Sequence, residues 1–510
     1  MKKLKYFLFL ILLSSSIRAD DSEQRTLFEF SGSFRTRAFN MGRDMLLYRK
    51  NSTLPIYDKQ AESDARSVNA QNAFNTEVDA RLKGKPSTIQ RQDESIRYYD
   101  TRVLLNLNFI TSKYLDGLWG MQVGDIPFGG KGISPTKNDP YTTGPGSGGE
   151  MGQSSGTNVQ TNFLYINFKL PSQSFNIRTG IQLFSSAQGR VLYTNGAGVQ
   201  ITKDLRNKNA TFEGGWIRAR DRSIPYPDGN GFNTKNYVNT NIYFIKLKLN
   251  PVRNIKNEIY SYLLNDTDRT DPAKETGNLF WHGLFNEFTF TRLSFSIHGI
   301  FNTGTLKTSN PYRISSGTEV YEKYDRHKIK GALFDFQLNY NYTDKITLGL
   351  VGIGTTGRPG YEKDGVLSAN KGNGYRTLSP GFAISNIGID FTGGYALFSG
   401  KSMSGLIEYG AFSNILVYGP LQLTFGYYRL YSSKSPEIEN NREFNLDAGK
   451  KTSNYMGHEY NFNIRWNMFR DLQLLFRSGV FIAGDGLKVL FDAPYGKKIY
   501  EAFFTLEHKF

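Results

Sequence analysis

Along most of this chain, apolar residues fall at every second position. In the last eleven residues Tyr500, Ala502, Phe504, Leu506, His508 and Phe510 lie on one side of an extended chain. Glu501, Phe503, Thr505, Glu507 and Lys509 lie on the other. Period two is the strand period, so one face meets an apolar medium and the other a polar one. The same alternation predicts strands near 25–39, 96–110, 115–127, 158–170, 175–186, 197–204, 210–221, 237–250, 256–264, 281–290, 292–303, 328–341, 345–356, 403–416, 420–431, 455–468, 471–482 and 498–510, about eighteen in all.

Several strands show their faces clearly. Phe28, Phe30 and Phe34 oppose Glu29, Ser31, Ser33, Arg35 and Arg37. Tyr99, Val103, Leu105, Leu107 and Phe109 oppose Asp100, Arg102, Asn106 and Asn108. Leu293, Phe295, Ile297 and Phe301 oppose Arg292, Ser294, Ser296, His298 and Asn302. Tyr460, Phe462, Ile464, Trp466 and Met468 oppose Glu459, Asn461, Asn463, Arg465 and Asn467. In 158–170 and 237–250 the pattern does not fix the faces.

The links alternate in length. Asn40 to Ser95, the segment holding Thr143–Gly149, Gly357 to Ser402, and Ser432 to Asn454 are long. Thr111–Tyr114, Pro171–Ser174 and Asn341–Asp344 are tight turns. Long links at one end and short ones at the other fit an antiparallel up-and-down transmembrane barrel, its short turns in the periplasm. An even strand count puts both termini on that side. The expected fold is all-β: a single closed antiparallel transmembrane β-barrel of about eighteen strands over residues 20–510.

Residues 1–19 read as a signal peptide. Met1–Lys5 is basic, Tyr6–Leu13 apolar, and a cleavage point follows Ala19. Beyond it no run of eighteen apolar residues occurs, so a membrane would be crossed by a closed sheet. With no cysteine, disulfides and a cysteine-borne lipid anchor are excluded. The 52 glycines, 31 tyrosines and 38 phenylalanines suit a barrel, and 39% hydrophobic residues suffice when only alternate positions must be apolar. The net charge of +16, less the four lysines and arginines of residues 1–19, leaves +12. Such an excess in a secreted protein points to an anionic partner, and not to nucleic acid.

The aromatic terminus after an alternating strand resembles the closing strand and assembly signal of outer-membrane barrels, which the barrel-assembly machinery reads. Other segments resemble the alginate-export family of outer-membrane porins. Phe163–Pro171 followed by Phe175–Gln182 resembles its strand–turn–strand with an Arg-x-Gly-x-Gln core (Arg178, Gly180, Gln182). Met456–Asn461 and the strands to Gly484 resemble its Gly-x-Glu segment (Gly457, Glu459) and final hairpins, and Gly124-Asp125 also fits. The resemblance covers about 96–200 and 400–510. It implies a monomeric pore whose arginines and lysines pass a uronate polymer, with Arg178 and Glu459 carried over.

Independently of the resemblance, Arg35, Arg37, Arg102, Arg178, Arg292, Arg465 and Arg477 fall on expected inward faces, with Asp100, Asp335, Glu459, Glu501 and Glu507. Guanidinium groups stay charged and hold carboxylates bidentately, so a basic lumen favours anions. The candidate substrate-binding set is Arg35, Arg37, Arg102, Arg178, Arg292, Glu459, Arg465 and Arg477. The competing reading is that these arginines only neutralise lumen carboxylates. Closure of the first strand on the last is expected to set Arg35 and Arg37 near Glu501 and Glu507.

The expected function is passive diffusion of an anionic small molecule, acidic sugar or polysaccharide, in contact with outer-membrane lipid and lipopolysaccharide. The alternative is a surface adhesin or receptor whose loops bind a partner and whose barrel is an anchor. No Ser/His/Asp arrangement suggests an enzyme, and no cofactor or metal is implied. Asp266–Asp271 lacks the glycine and closing glutamate of a calcium loop. Gly352–Gly357 is followed by no helix, so it reads as strand-end glycines. The five histidines lack metal-ligand spacing.

Overall fold

The computed structural model describes residues 26–43, 94–127, 159–205, 209–221, 239–266, 276–313, 319–357, 374–390, 405–433, 453–486 and 498–510. The expected signal peptide, the Thr143–Gly149 segment and most of Asp266–Asp271 lie outside them.

Alternation translates directly into eighteen strands: β1 (Leu27–Arg43), β2 (Glu94–Ser112), β3 (Leu115–Pro127), β4 (Val159–Leu170), β5 (Phe175–Ser185), β6 (Tyr193–Leu205), β7 (Ala210–Asp221), β8 (Asn239–Val252), β9 (Ile255–Asp266), β10 (Thr276–Thr289), β11 (Leu293–Arg313), β12 (Glu319–Asn341), β13 (Ile346–Thr355), β14 (Leu406–Tyr418), β15 (Leu421–Ser432), β16 (Tyr455–Asn467), β17 (Leu472–Ala483) and β18 (Lys498–Lys509). Each pairs antiparallel with its neighbours in sequence, and β18 pairs with β1 from Ser33↔Lys509 to Arg43↔Ile499. The sheet closes on itself and has no edge. The seam ends in a reciprocal pair: Gly32 N–H donates to the Phe510 carbonyl (2.8 Å) and Phe510 N–H to that of Gly32 (3.1 Å).

The outer face carries exposed large apolar side chains, among them Phe30, Phe34, Leu164, Ile245, Leu284, Phe301, Phe334, Leu350, Phe425 and Phe504. The inner face carries buried polar ones: Asp100, Gln182, Glu213, Lys246, His298, Asn302, Asp335, Glu408, Glu459 and Glu501. A closed sheet satisfies every ladder hydrogen bond internally, the one way a β-structure crosses a bilayer. No helix among the described residues is long and apolar enough to cross a membrane.

The inner face is not polar throughout. Residues 186–192, between β5 and β6, and residues 374–390, between β13 and β14, fold against it. They form a short parallel contact: Leu192 bridges to Ser379, Tyr193 N–H donates to the Ser379 carbonyl (2.6 Å) and Gly381 N–H to that of Gly189 (3.0 Å). Beneath them Phe184, Ile217, Phe244, Tyr260, Tyr262, Trp281, Ile300, Ile329 and Leu333 join Tyr375, Ile387 and Ile389 of the second segment in one buried apolar cluster. The long link from Gly357 to Ser402 thus contains a packed inner segment.

Candidate functional site

Among the described residues, the inner wall holds two clusters in which cations outnumber carboxylates. The first lies where β1 and β2 run side by side. Their register sets Arg35 opposite Arg102 and Arg37 opposite Asp100. Arg37 grips Asp100 with a fork, Nε to Oδ1 at 2.9 Å and Nη2 to Oδ2 at 2.6 Å, and its guanidinium sits 4.6 Å from the Phe39 ring centre. Glu507 of β18 lies opposite Arg35 in the seam. Closure therefore brings Arg35 beside Glu507 as expected. Glu501 instead lies opposite Met41 and pairs with Arg477.

The second cluster spans β4 to β9. Glu213 of β7 receives Lys246 Nζ at 2.9 Å, and Lys248 forms a further ion pair with its other oxygen. Gln200 Nε2 donates to the same carboxylate at 3.4 Å. Glu258 lies opposite Lys248 in the ladder. Arg178 stacks 4.6 Å over Tyr165, and a cavity of about 170 Å³ opens between Arg178, Gln200, Glu213, Lys246, Lys248 and Tyr262. Gly180 makes this corner possible. Its φ of +126° and a built Cβ 2.1 Å from the Leu164 carbonyl oxygen exclude any side chain there. Gln182 is fully buried and donates to the carbonyls of Arg178 and Gly198 (3.2 and 3.4 Å), which gives the Arg-x-Gly-x-Gln core a structural reason.

Along β14 to β18 the balance is reversed. Arg477 reaches Asp390 of the 374–390 segment at 2.5 Å and Glu501 at 3.2 Å, and Glu408 and Glu459 are buried on the same wall. Glu459 faces inward as expected, but the inner segment takes up its carboxylate. The N–H groups of Asn386, Ile387 and Gly388 donate to it at 2.8, 2.9 and 2.8 Å. Arg477 also donates to the Asn386 carbonyl (2.5 Å), and the Asn386 amide to Asn463 Oδ1 and the Ser478 carbonyl (2.9 and 2.7 Å). Glu459 and Arg477 are thus braces for residues 374–390. A second brace lies across the barrel. Arg190 of the 186–192 segment donates to Asp335 at 2.8 Å, beside fully buried His298, whose Nε2 meets the Tyr260 hydroxyl at 2.7 Å.

Two expected wall residues lie at the short-link rim. Arg292 is exposed in the turn before β11, because Phe290 N–H bonds the Leu293 carbonyl and closes the turn there. Arg465 faces inward by position but is exposed, two residues from the end of β16 at the short-link rim. Lys246, Lys248, Glu213 and Arg190 were not among the expected site residues. Lys246 and Lys248 are spaced two apart on one strand face, a signal hidden by the ambiguous register of 237–250.

Neither a family model nor a curated protein matches the chain. Among solved structures it is similar to OccAB1 of Acinetobacter baumannii, at 11% identity and TM-score 0.50, with 94% of this chain and 96% of that one covered. OccAB4 of the same organism matches at 10% identity and TM-score 0.50, over 96% and 99% of the two chains. The likeness is one of fold, and it runs the length of the barrel.

Proposed function

We propose that this protein is a bacterial outer-membrane channel that passes anionic solutes by passive diffusion. Acidic sugars or uronate oligomers are the solutes that the resemblance to alginate-export porins implies. The observation that carries the reading is the composition of the two inner-wall clusters. Among the described residues, Arg35, Arg37 and Arg102 lie with Asp100 and Glu507, and Arg178, Lys246 and Lys248 with Glu213 and Glu258, three cations to two carboxylates in each cluster. In a closed barrel, charges on the inner wall act on a solute that crosses it. At an effective dielectric near 20, one excess charge acting over roughly 8 Å is worth about 2 kcal/mol, enough for a severalfold bias even after screening by pore water. Planar-bilayer recording in a salt gradient tests this. Wild type is expected to show an anion-selective reversal potential, and a cation-selective one would refute the reading.

A second reading, a barrel that only anchors surface loops, has its own support: residues 186–192 and 374–390 fill part of the interior with apolar side chains. The two readings separate on conductance, because a sealed barrel gives no current steps.

A further inference from the structure

The outer face holds a pattern that conduction does not use. At the long-link end, ladder neighbours place Tyr409, Arg429, His458, Ile482 and Lys498 in one row across β14 to β18. Strand alternation turns this row outward, because Glu408, Tyr428, Leu430, Phe481 and Ile499, one residue away, are the buried inner positions. Arg429 and Lys498 are exposed. Around Arg429 the partners are aromatic. Its Nε donates to the Tyr427 hydroxyl at 2.9 Å, Tyr409 stacks on Tyr431 at 5.8 Å, and Tyr455 stacks on His458 at 6.3 Å.

A matching row lies on the opposite wall. Arg218, Asn241, Asn265, Asn278, Thr305 and Lys328 are ladder neighbours across β7 to β12. There Trp216 Nε1 and Arg218 Nη1 both donate to Asn241 Oδ1 at 2.9 Å. Lys328 and Lys330 are exposed on the outward side of β12. Below both rows the outer face is aromatic and aliphatic, with Phe425, Tyr460, Val480, Tyr243, Leu284, Phe334 and Phe504 exposed.

A cation on a lipid-facing strand position is costly unless it reaches the headgroup level and meets an anion there. In the two rows the described outward side chains include four cations, Arg218, Lys328, Arg429 and Lys498, and no carboxylate. Arginine suits phosphate through its fork, lysine as a point charge, and flanking tyrosines hold the interface depth. The long-link end is the outer one in barrels of this kind. We propose that these two rows form a binding surface for the phosphate-bearing headgroups of outer-leaflet lipid, of the diphosphorylated glycolipid class, with Arg429 and Lys498 as the principal contacts. The proposal rests on the barrel spanning a membrane, not on its conducting.

The full chain, purified in detergent, is titrated with diphosphoryl lipid A, with the same lipid after phosphatase treatment, and with inorganic phosphate, with binding read by native mass spectrometry. Each basic residue near an anionic headgroup contributes about a fivefold effect. The double variant Arg429→Gln with Lys498→Gln is therefore expected to bind diphosphoryl lipid A at least about tenfold more weakly. Arg429→Lys with Lys498→Arg is expected to keep most of the binding, and Arg178→Gln, in the lumen, all of it. Wild type is expected to hold the dephosphorylated lipid no better than the double variant does. Lys328→Gln with Lys330→Gln gives an independent second test should the first variant fold poorly by heat-modifiable mobility. Unchanged lipid binding in both folded variants, equal affinity for the dephosphorylated lipid, or saturable binding of inorganic phosphate alone would overturn the proposal. Because bilayer conductance is measured separately, failure of the channel reading would leave this result standing, and the reverse.

Discussion

The inner wall from β1 to β9 and the inner wall from β14 to β18 are both lined with ionisable groups, yet they do different work. On the first, cations surround few acids and border a cavity beside Lys246, Lys248 and Arg178. On the second, buried Glu408, Glu459 and Glu501 outnumber the guanidinium of Arg477, and residues 374–390 bond to Glu459 and Arg477. The difference lies in what saturates the charges. Glu459 takes three backbone N–H groups and Arg477 a backbone carbonyl, so both are spent on holding chain in place. Arg178 is held over a tyrosine ring and keeps hydrogen-bonding capacity at Nε. A charged residue on an inner face is therefore read as lining or as bracing only once its partners are known.

The seam that joins the two walls gives the largest expected effect. Phe510 supplies one donor and one acceptor to the last backbone pair, with Gly32. Deleting it, or replacing it with Asp, is expected to abolish most of the folded, heat-modifiable barrel. Normal folded yield would contradict its role as the closing residue.

The contrast breaks most directly at Glu459. Glu459→Leu leaves the buried N–H groups of Asn386 and Ile387 without this acceptor, and that of Gly388 with Ser385 Oγ alone, at 3.0 Å. Losing charged hydrogen bonds of this kind costs roughly 3–5 kcal/mol in total, allowing for non-additivity. Residues 374–390 are expected to become protease-sensitive and the single-channel conductance to rise. If both stay at wild-type values, the bracing assignment is wrong.

A smaller effect is expected at Gly457, two residues before Glu459. Its φ is +147°, and a Cβ would lie 2.3 Å from the Ile482 carbonyl oxygen. Gly457→Ala is expected to destabilise the barrel by about 1–3 kcal/mol, read as a lowered urea midpoint with selectivity unchanged. A shifted reversal potential without destabilisation would mean that the braced wall also sets selectivity.

Most of the fold was legible because strand alternation needs only one apolar face. All eighteen segments are strands, and the inward sides read from β1, β2, β11, β16 and β18 are the observed ones. Alternation became ambiguous at β4 and β8 for different reasons. On β8 the inner face carries Ile242 and Phe244, which pack in the inner apolar cluster, while Tyr243 and Ile245 face out. Both faces are apolar there, so the two-residue period vanishes and Lys246 and Lys248 went unassigned. On β4 the inward Tyr165 and Asn167 alternate with Leu164, Ile166 and Phe168, but Phe163 before them is apolar too. The inner segments themselves had one sign. Ile384, Ile387 and Ile389 stand in a stretch read only as a long link, and all three are buried. Arg292 was misplaced because a tight turn and the first strand residue look alike in a sequence, and only the Phe290–Leu293 hydrogen bond separates them.

The central claim is that the basic wall sets what the pore passes, and the reversal potential in a potassium chloride gradient tests it most directly. Wild type is expected to be anion-selective. Arg102→Glu with Arg178→Glu, one change in each basic cluster, is expected to abolish or invert that preference while heat-modifiable mobility stays normal. A double variant with the wild-type reversal potential, or a wild type that already prefers cations, would contradict the account.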